Sequence, residues 1–236
     1  MARLFAGTSG FAYPTWKPAF YPARIPASRF LAYYAERLNC VEINSTFQLL
    51  PTAATMEAWV AATSPGFVFA VKAPMRITHM LRLKNAEKAT NEFLEAIEPL
   101  RAAGRLGPVL FQLPPNMKYD AGALEDYLTL LPGGMRYAFE FRHESWLAEE
   151  VYDELRRSNV ALCLAESDKL EIPEVVTADF VYCRMRKPKY TEADVEAIAA
   201  RAKGWLATDR DLYVMFKHEE TPEGALNAES LLRKAG

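Results

Sequence analysis

Apolar positions along the chain fall into two rhythms. Short runs rich in Val, Ile, Phe, Leu and Tyr recur at 3–8 (RLFAGT), 40–44 (CVEIN), 67–72 (FVFAVK), 108–113 (PVLFQL), 136–141 (RYAFEF), 160–166 (VALCLAE), 179–185 (DFVYCRM) and 211–217 (DLYVMFK). Their length and composition predict eight strands. Helical periodicity fills most of the gaps: 28–38, opened by Ser28 as N-cap, and 85–104, opened by Asn85 and stopped by Gly104. Further helices are predicted over 120–131, 145–158, 191–207 and 222–236. The gap after the sixth strand, Ile172 to Thr177, offers one turn at most.

Strand and helix in strict alternation predict a parallel sheet. Eight units favour closure into an α/β (β/α)8 barrel, a single domain over 1–236. An open sheet needs central strands that are apolar on both faces. Here most strands end in polar residues: Glu42 and Asn44, Lys72, Gln112, Glu140 and Arg142, Glu166, Arg184, Lys217. A barrel gathers those ends at one mouth, whereas an open sheet spreads them along an edge.

The two-residue period of a strand then sorts the faces. Cys40, Glu42 and Asn44 share a face; so do Val68, Ala70 and Lys72; Tyr182, Arg184 and Arg186; Tyr213, Met215 and Lys217. In YAFEFRHESW, Phe139 and Phe141 point one way and Glu140 and Arg142 the other. Turned outward, the charged faces would be buried unpaired beneath helices at several kcal/mol each. They are therefore expected to face the barrel interior, with Val41, Ile43, Phe139 and Phe141 packed under helices.

Charge gives this mouth its character. The cations are Lys72, Arg142, Arg184, Arg186 and Lys217, and the carboxylates are Glu42, Glu140 and Glu166. Five against three favours an anionic ligand. Lys187 and Lys189 extend the basic stretch beyond the seventh strand, where barrels often hold phosphate; a solvated loop is the plainer account of that pair. Glu140 and Glu42 are candidate acid or base, with Lys72 an electrostatic partner and His79 a proton carrier or loop hydrogen-bonder. Asn44, Gln112, Arg142, Glu166, Arg184, Arg186, Lys217 and Trp146 complete the candidate substrate-binding set. The inward charges could instead pair and plug the barrel end. Glu140 decides between these: at a hydrated site Glu140→Gln leaves stability nearly unchanged, and in a buried pair it does not.

Aromatics also gather near the mouth: Phe11, Tyr13, Trp16, Phe20, Tyr21 and Trp146. They either form a lid that stacks a ring or pack over the barrel end. No metal or other cofactor is expected. His79, His143 and His218 follow strands, yet no HExxH-like spacing occurs and the carboxylates lie among cations. His143 is expected to be structural.

Composition bounds the partners. Half the residues are hydrophobic and the net charge is -2, so there is no global attraction to nucleic acid or anionic membrane. The N-terminal MARLFAGTSG lacks a signal-peptide core, and no long apolar run spans a membrane. Cys40, Cys163 and Cys183 lie far apart in apolar runs, as reduced core cysteines do. A cytoplasmic location is expected.

Five stretches carry a family resemblance: GTSGFAYPTW (7–16), YYAERLNCVEINSTF (33–47), LGPVLFQLPP (106–115), AFEFRHESW (138–146) and GALNAESLL (224–232). In order and over almost the whole chain, they resemble the domain-of-unknown-function 72, or YecE-like, family. The resemblance implies a barrel related to the xylose isomerase-like barrels and no established reaction. It adds weight to Glu42, Asn44, Lys72, Thr78, His79, Gln112, Glu140, Arg142, His143 and Trp146, which match family motifs. Departures cluster in the last three strands. Glu166 stands where the family has Asp, Arg186 and Lys187 where it has His-Gly, and Lys217, His218 and Glu219 where it has Asn-Asn-Asp.

Three functions stay open: a metal-independent enzyme acting on a small anionic or phosphorylated, nucleotide-like substrate; a metal-dependent phosphodiester hydrolase acting on nucleic acid; and a non-catalytic binding protein for an anionic ligand.

Overall fold

The computed structural model describes residues 1–217 and 220–236. Eight parallel strands pair in chain order and close on themselves: β1 (Leu4–Ser9), β2 (Cys40–Ile43), β3 (Val68–Lys72), β4 (Leu106–Gln112), β5 (Tyr137–Glu140), β6 (Ala161–Ala165), β7 (Phe180–Met185) and β8 (Asp211–Phe216). The expected barrel is present, with every strand within two residues of its predicted bounds.

The sorting of faces holds. Phe5, Cys40, Ala70, Leu110, Ala138, Ala161, Cys163, Tyr182, Tyr213 and Met215 form one cluster inside the barrel. Val41, Ile43, Val71, Phe111, Phe139, Val181 and Val214 belong to the separate layer between strands and helices. Small residues at many inward positions leave room for Phe5 and Tyr213, whose rings stack at 4.7 Å. All three cysteines are buried. Gly7 is required by close approach: a Cβ there would lie 1.8 Å from the Cys40 carbonyl oxygen, which also accepts the Tyr34 hydroxyl.

The helices follow local chemistry. Helix α6 (Glu149–Arg157) opens on Glu149 and Glu150, ends on Arg156 and Arg157 in accord with its dipole, and buries Val151, Tyr152 and Leu155. Helix α7 (Glu192–Leu206) starts with a capping box between Thr191 and Asp194. Helix α8 (Glu223–Ala235) buries Gly224, Ala225, Ala228 and Leu231, and its Glu229 takes a bidentate grip from Arg37 of α1 (Phe30–Arg37).

Three helix expectations are corrected. Ser28 lies inside a short 3-10 turn, Ala27–Arg29, and does not cap α1. The stretch 85–104 holds two helices, α3 (Glu87–Ala96) and α4 (Glu98–Ala102), and Asn85 adopts a positive φ of 50° ahead of α3 instead of capping it. Helix α2 (Ala53–Ala61), capped by Thr52, is absent from the sequence expectation; its AATMEAWVA buries only Met56 and lacks an apolar stripe. Helix α5 (Ala121–Thr129) falls where expected.

The connection from β6 to β7 carries no helix, in line with its poor helical signal. Ile172, Val175 and Val176 pack there as a partly buried strap. Near it lies a cavity of about 1020 Å3, apolar at Leu164, Ile198 and Trp205 and charged at Glu140, Arg142 and Arg186.

Candidate functional site

Two inward carboxylates and one guanidinium frame the mouth. Glu42, at the end of β2, is fully buried. Its Oε1 accepts from Ser9 Oγ at 2.7 Å, Arg184 NH2 at 2.7 Å and Asn44 Nδ2 at 3.1 Å, and its Oε2 accepts from the Tyr182 hydroxyl at 2.7 Å. The register explains the first contact, because Ser9 and Glu42 are paired across β1 and β2. Glu140, 2% exposed at the end of β5, accepts from Arg184 NH1 through Oε2 and from Arg142 Nε at 2.9 Å through Oε1. Arg186 NH2 lies 3.7 Å from that same Oε1. Arg184 thus bridges both carboxylates, and its NH1 also reaches Gln112 Oε1 at 3.4 Å.

The electrostatics follow from this geometry. Burial alone raises a carboxyl pKa, yet Arg184, with hydrogen bonds from Ser9 and Tyr182, holds Glu42 below the usual carboxylate range. Burial likewise works against Glu140, but Arg184, Arg186 and Arg142 win and bring it down to about 2. Burial disfavours the Arg184 charge, and Glu42 and Glu140 overcome that as well. Both carboxylates are saturated with donors and stay ionised near neutrality, which favours a counter-ion role over the expected acid or base role. Glu140 is 2% exposed, so of the two outcomes open for Glu140→Gln the buried-pair one is expected.

Lys72 behaves differently. It ends β3 on the inward face, and among the described residues it makes no salt bridge. Its Nζ sits 3.9 Å from the centre of the Phe47 ring. Burial, then Arg184, push its pKa down to about 8 against the pull of Glu42 and Glu140. By NMR of reductively methylated protein, Lys72 should titrate near 8 while exposed lysines titrate near the ordinary ~10.4; a Lys72 resonance moving with the rest would refute this.

His79 lies beside this lysine, in a π-helical turn, Arg76–Met80. Its Nδ1 pairs with Thr78 Oγ1 at 2.9 Å and its ring meets Phe47 edge-on at 5.0 Å. Burial, then Lys72 and Arg142, lower its pKa, so the ring is neutral near neutrality. The chain leaves this turn through Arg82 and Leu83 at φ of 52° and 68°, a left-handed pair unusual for bulky side chains.

Four cations, Lys72, Arg142, Arg184 and Arg186, therefore face two carboxylates. Arg142 keeps 34% of its side chain exposed, and Arg186 Nε is buried without a partner among the described residues. Asn44 Oδ1 and Arg184 Nε are likewise buried with no partner among the described residues. The excess of positive charge expected at the mouth is thus kept by a smaller set.

Of the other expected residues, Glu166 and Lys187 line the same cavity as Glu140, Arg142 and Arg186. Glu166 organises the loop after β7: its Oε2 accepts from the backbone N–H of Arg186 at 2.7 Å and Lys187 at 3.2 Å, and from the Tyr190 hydroxyl. Lys217 lies just beyond β8 and is exposed. The departures at His218 and Glu219 fall outside the described residues. Lys187 is exposed and pairs with Asp194 at 3.2 Å. Trp146 is corrected from ligand contact to core: it is fully buried, stacked on Phe141 at 4.6 Å, and donates its Nε1–H to the Met117 carbonyl at 2.7 Å. The aromatic N-terminal loop packs as well, with Trp16, Phe20 and Tyr21 buried and Tyr21 stacked on Phe30 at 4.2 Å. His143 Nδ1 accepts from Ser145 N–H and caps a 3-10 turn, the expected structural role.

Sequence reasoning misses Ser9, Tyr182 and Phe47 as site residues. Tyr182 shares the inward face of its strand with Arg184, and that alternation is the usable signal. Phe47 follows β2 in a 3-10 turn, Ser45–Phe47, and no periodicity reports where such a turn points.

Among the described residues, no group of three or more His, Cys, Asp or Glu side chains is arranged to hold a metal ion, and no helix is long and apolar enough to cross a membrane.

Comparison with known proteins agrees with this architecture. A DUF72 family protein of Thermotoga maritima MSB8 superposes with a TM-score of 0.85 at 26% identity, covering 98% of each chain. A xylose isomerase domain protein of Alicyclobacillus acidocaldarius, 12% identical, superposes with a TM-score of 0.51 over 98% of each chain and shares the fold. In sequence, the UPF0759 protein YecE of Escherichia coli K12 is 31% identical over 147 residues, 62% of this chain and 51% of YecE. The match therefore spans about half the length of that relative. The family model described as protein of unknown function DUF72 matches residues 5–236, and the chain belongs to that family.

Proposed function

We propose that the barrel mouth is the site of a metal-independent enzyme acting on a small anionic or phosphorylated substrate. One observation carries the reading: after Arg184 is taken up by Glu42 and Glu140, cationic groups are left over. Glu140 is shared among Arg184, Arg142 and Arg186, and among the described residues Lys72 has no carboxylate of its own. Uncompensated buried charge is costly, and a bound anion removes that cost. Arg142 and Arg186 offer planar forks matched to phosphate or carboxylate oxygens. The Glu42–Arg184–Glu140 bridge is the rigid frame, while Lys72, lowered toward neutrality, and His79, neutral there, are the groups able to exchange protons.

The first test is inorganic phosphate titrated into isotopically labelled protein at low ionic strength, read by NMR. Saturable shifts centred on Arg142, Arg186 and Lys72 are expected, with affinity lowered at least about tenfold in the Arg142→Ala/Arg186→Ala variant, as loss of charge-assisted hydrogen bonds requires. Shifts confined to the outer surface would refute the site. Product analysis of a bound phosphorylated compound then separates an enzyme from a binding protein.

A further inference from the structure

Lys72 combines features that the anion reading alone does not need. It is an amine on the inward face of a strand end. It lies over an aromatic ring at 3.9 Å and makes no ion pair among the described residues. Both carboxylates that could neutralise it are already held, Glu42 by Ser9, Asn44, Tyr182 and Arg184, and Glu140 by three arginines. An imidazole meets the same ring, His79 against Phe47 at 5.0 Å. A lysine kept from carboxylates, desolvated and placed among other cations is the arrangement that turns an ammonium into a nucleophilic amine.

We propose that Lys72 forms an imine with a small aldehyde or ketone whose phosphate or carboxylate is held by Arg142 and Arg186. This rests on the anionic-ligand reading and adds the reacting group to it. The Nζ lone pair adds to the carbonyl carbon, the C=O π pair moves to oxygen, and that oxygen gains the proton the nitrogen gives up. A second proton converts the hydroxyl to water, which leaves with the C–O bond pair as the nitrogen lone pair closes the C=N bond. The iminium returns that proton when it loses its N–H. One water is released, and no oxidant or reductant is consumed. His79, neutral near neutrality and against the same Phe47 ring as Lys72, is the proton carrier this proposal assigns. The position of Lys72 at the C-terminal end of a barrel strand agrees with where such folds keep their chemistry. Its lowered pKa of about 8 leaves far more free amine near neutrality than a surface lysine has.

The experiment exposes the full chain near neutral pH to glyoxylate, or separately to acetaldehyde, with cyanoborohydride as the trap. Adducts at each lysine are followed by peptide mass spectrometry. With glyoxylate, the Lys72 adduct should form at least about tenfold faster than adducts on exposed Lys84 and Lys88, given the larger free-amine fraction. The Arg142→Ala/Arg186→Ala variant should slow the glyoxylate adduct at Lys72 much more than the acetaldehyde adduct, which feels only the loss of the Arg142 charge that helps lower the Lys72 pKa. Lys72 reacting no faster than Lys84 and Lys88 overturns the proposal. If phosphate still binds the mouth in that same preparation, the anion site stands and only the imine falls. Lys72 reacting fast with both aldehydes, unaffected by loss of the arginines, overturns the roles of Arg142 and Arg186 and, with them, the anion reading.

Discussion

Arg184→Met is expected to destabilise the protein by about 3–5 kcal/mol, the cost of breaking a buried ion pair by removing one partner. For a chain of this size that corresponds to a fall in melting temperature of roughly 10 °C or more. Arg184 is 3% exposed and serves two carboxylates at once, at NH2 for Glu42 and NH1 for Glu140. Without it, Glu42 keeps Ser9, Asn44 and Tyr182, which are neutral donors, and Glu140 keeps the part-exposed Arg142 at 2.9 Å and Arg186 at 3.7 Å. Urea unfolding gives the measurement. A second variant checks the cause: adding Glu42→Gln and Glu140→Gln to Arg184→Met should recover part of the loss, because the uncompensated charge is then gone. An unchanged midpoint for Arg184→Met would show that water reaches these carboxylates, and the frame would have to be abandoned.

Glu140→Gln is expected to cost on the order of 3 kcal/mol at neutral pH, from a carboxyl held at about 2 against a usual value of 4.5. Its pKa is lowered in the fold, so the unfolded chain takes up the proton first as pH falls. The stabilisation is thus fully present above the usual carboxylate value and is lost as pH descends through the native value. Wild type should therefore lose stability between about pH 4.5 and pH 2 more steeply than Glu140→Gln, by close to one proton. Denaturation curves collected across that window, with the two proteins compared at each pH, supply the test. Parallel pH profiles would mean that Glu140 is not held by its arginines. The same variant removes one negative charge from a mouth already in cationic excess, so it should bind phosphate more tightly while being less stable. That opposition distinguishes a counter-ion at an anion site from a strut that merely closes the barrel.

Much of the mouth is legible in the sequence because a strand leaves no choice about alternation. Once Val41 and Ile43 pack outward, Glu42 must point in, and the same holds for Glu140 between Phe139 and Phe141. Barrel closure is legible from strict alternation of elements, and the missing helix between β6 and β7 from a segment without helical period. The errors have physical causes. Trp146 follows a strand where alternation no longer applies, and its partner, the Met117 carbonyl, is set by how connections fold back. Helix α2 escapes because AATMEAWVA has too few large apolar residues to show a face.

By itself, then, the sequence determined the barrel, the inward face of each strand and a mouth rich in charge. Those follow from a two-residue period and the cost of burying charge under helices. Only the tertiary structure decided which charges neutralise each other. Glu42 and Arg184 are 142 positions apart, and Glu140 and Arg184 are 44 apart. Their pairing depends on strand register and on distances across the barrel, neither of which any local pattern encodes. That pairing joins the two candidate carboxylates into one frame around Arg184 and leaves Lys72, expected as an electrostatic partner, as the amine without a carboxylate among the described residues.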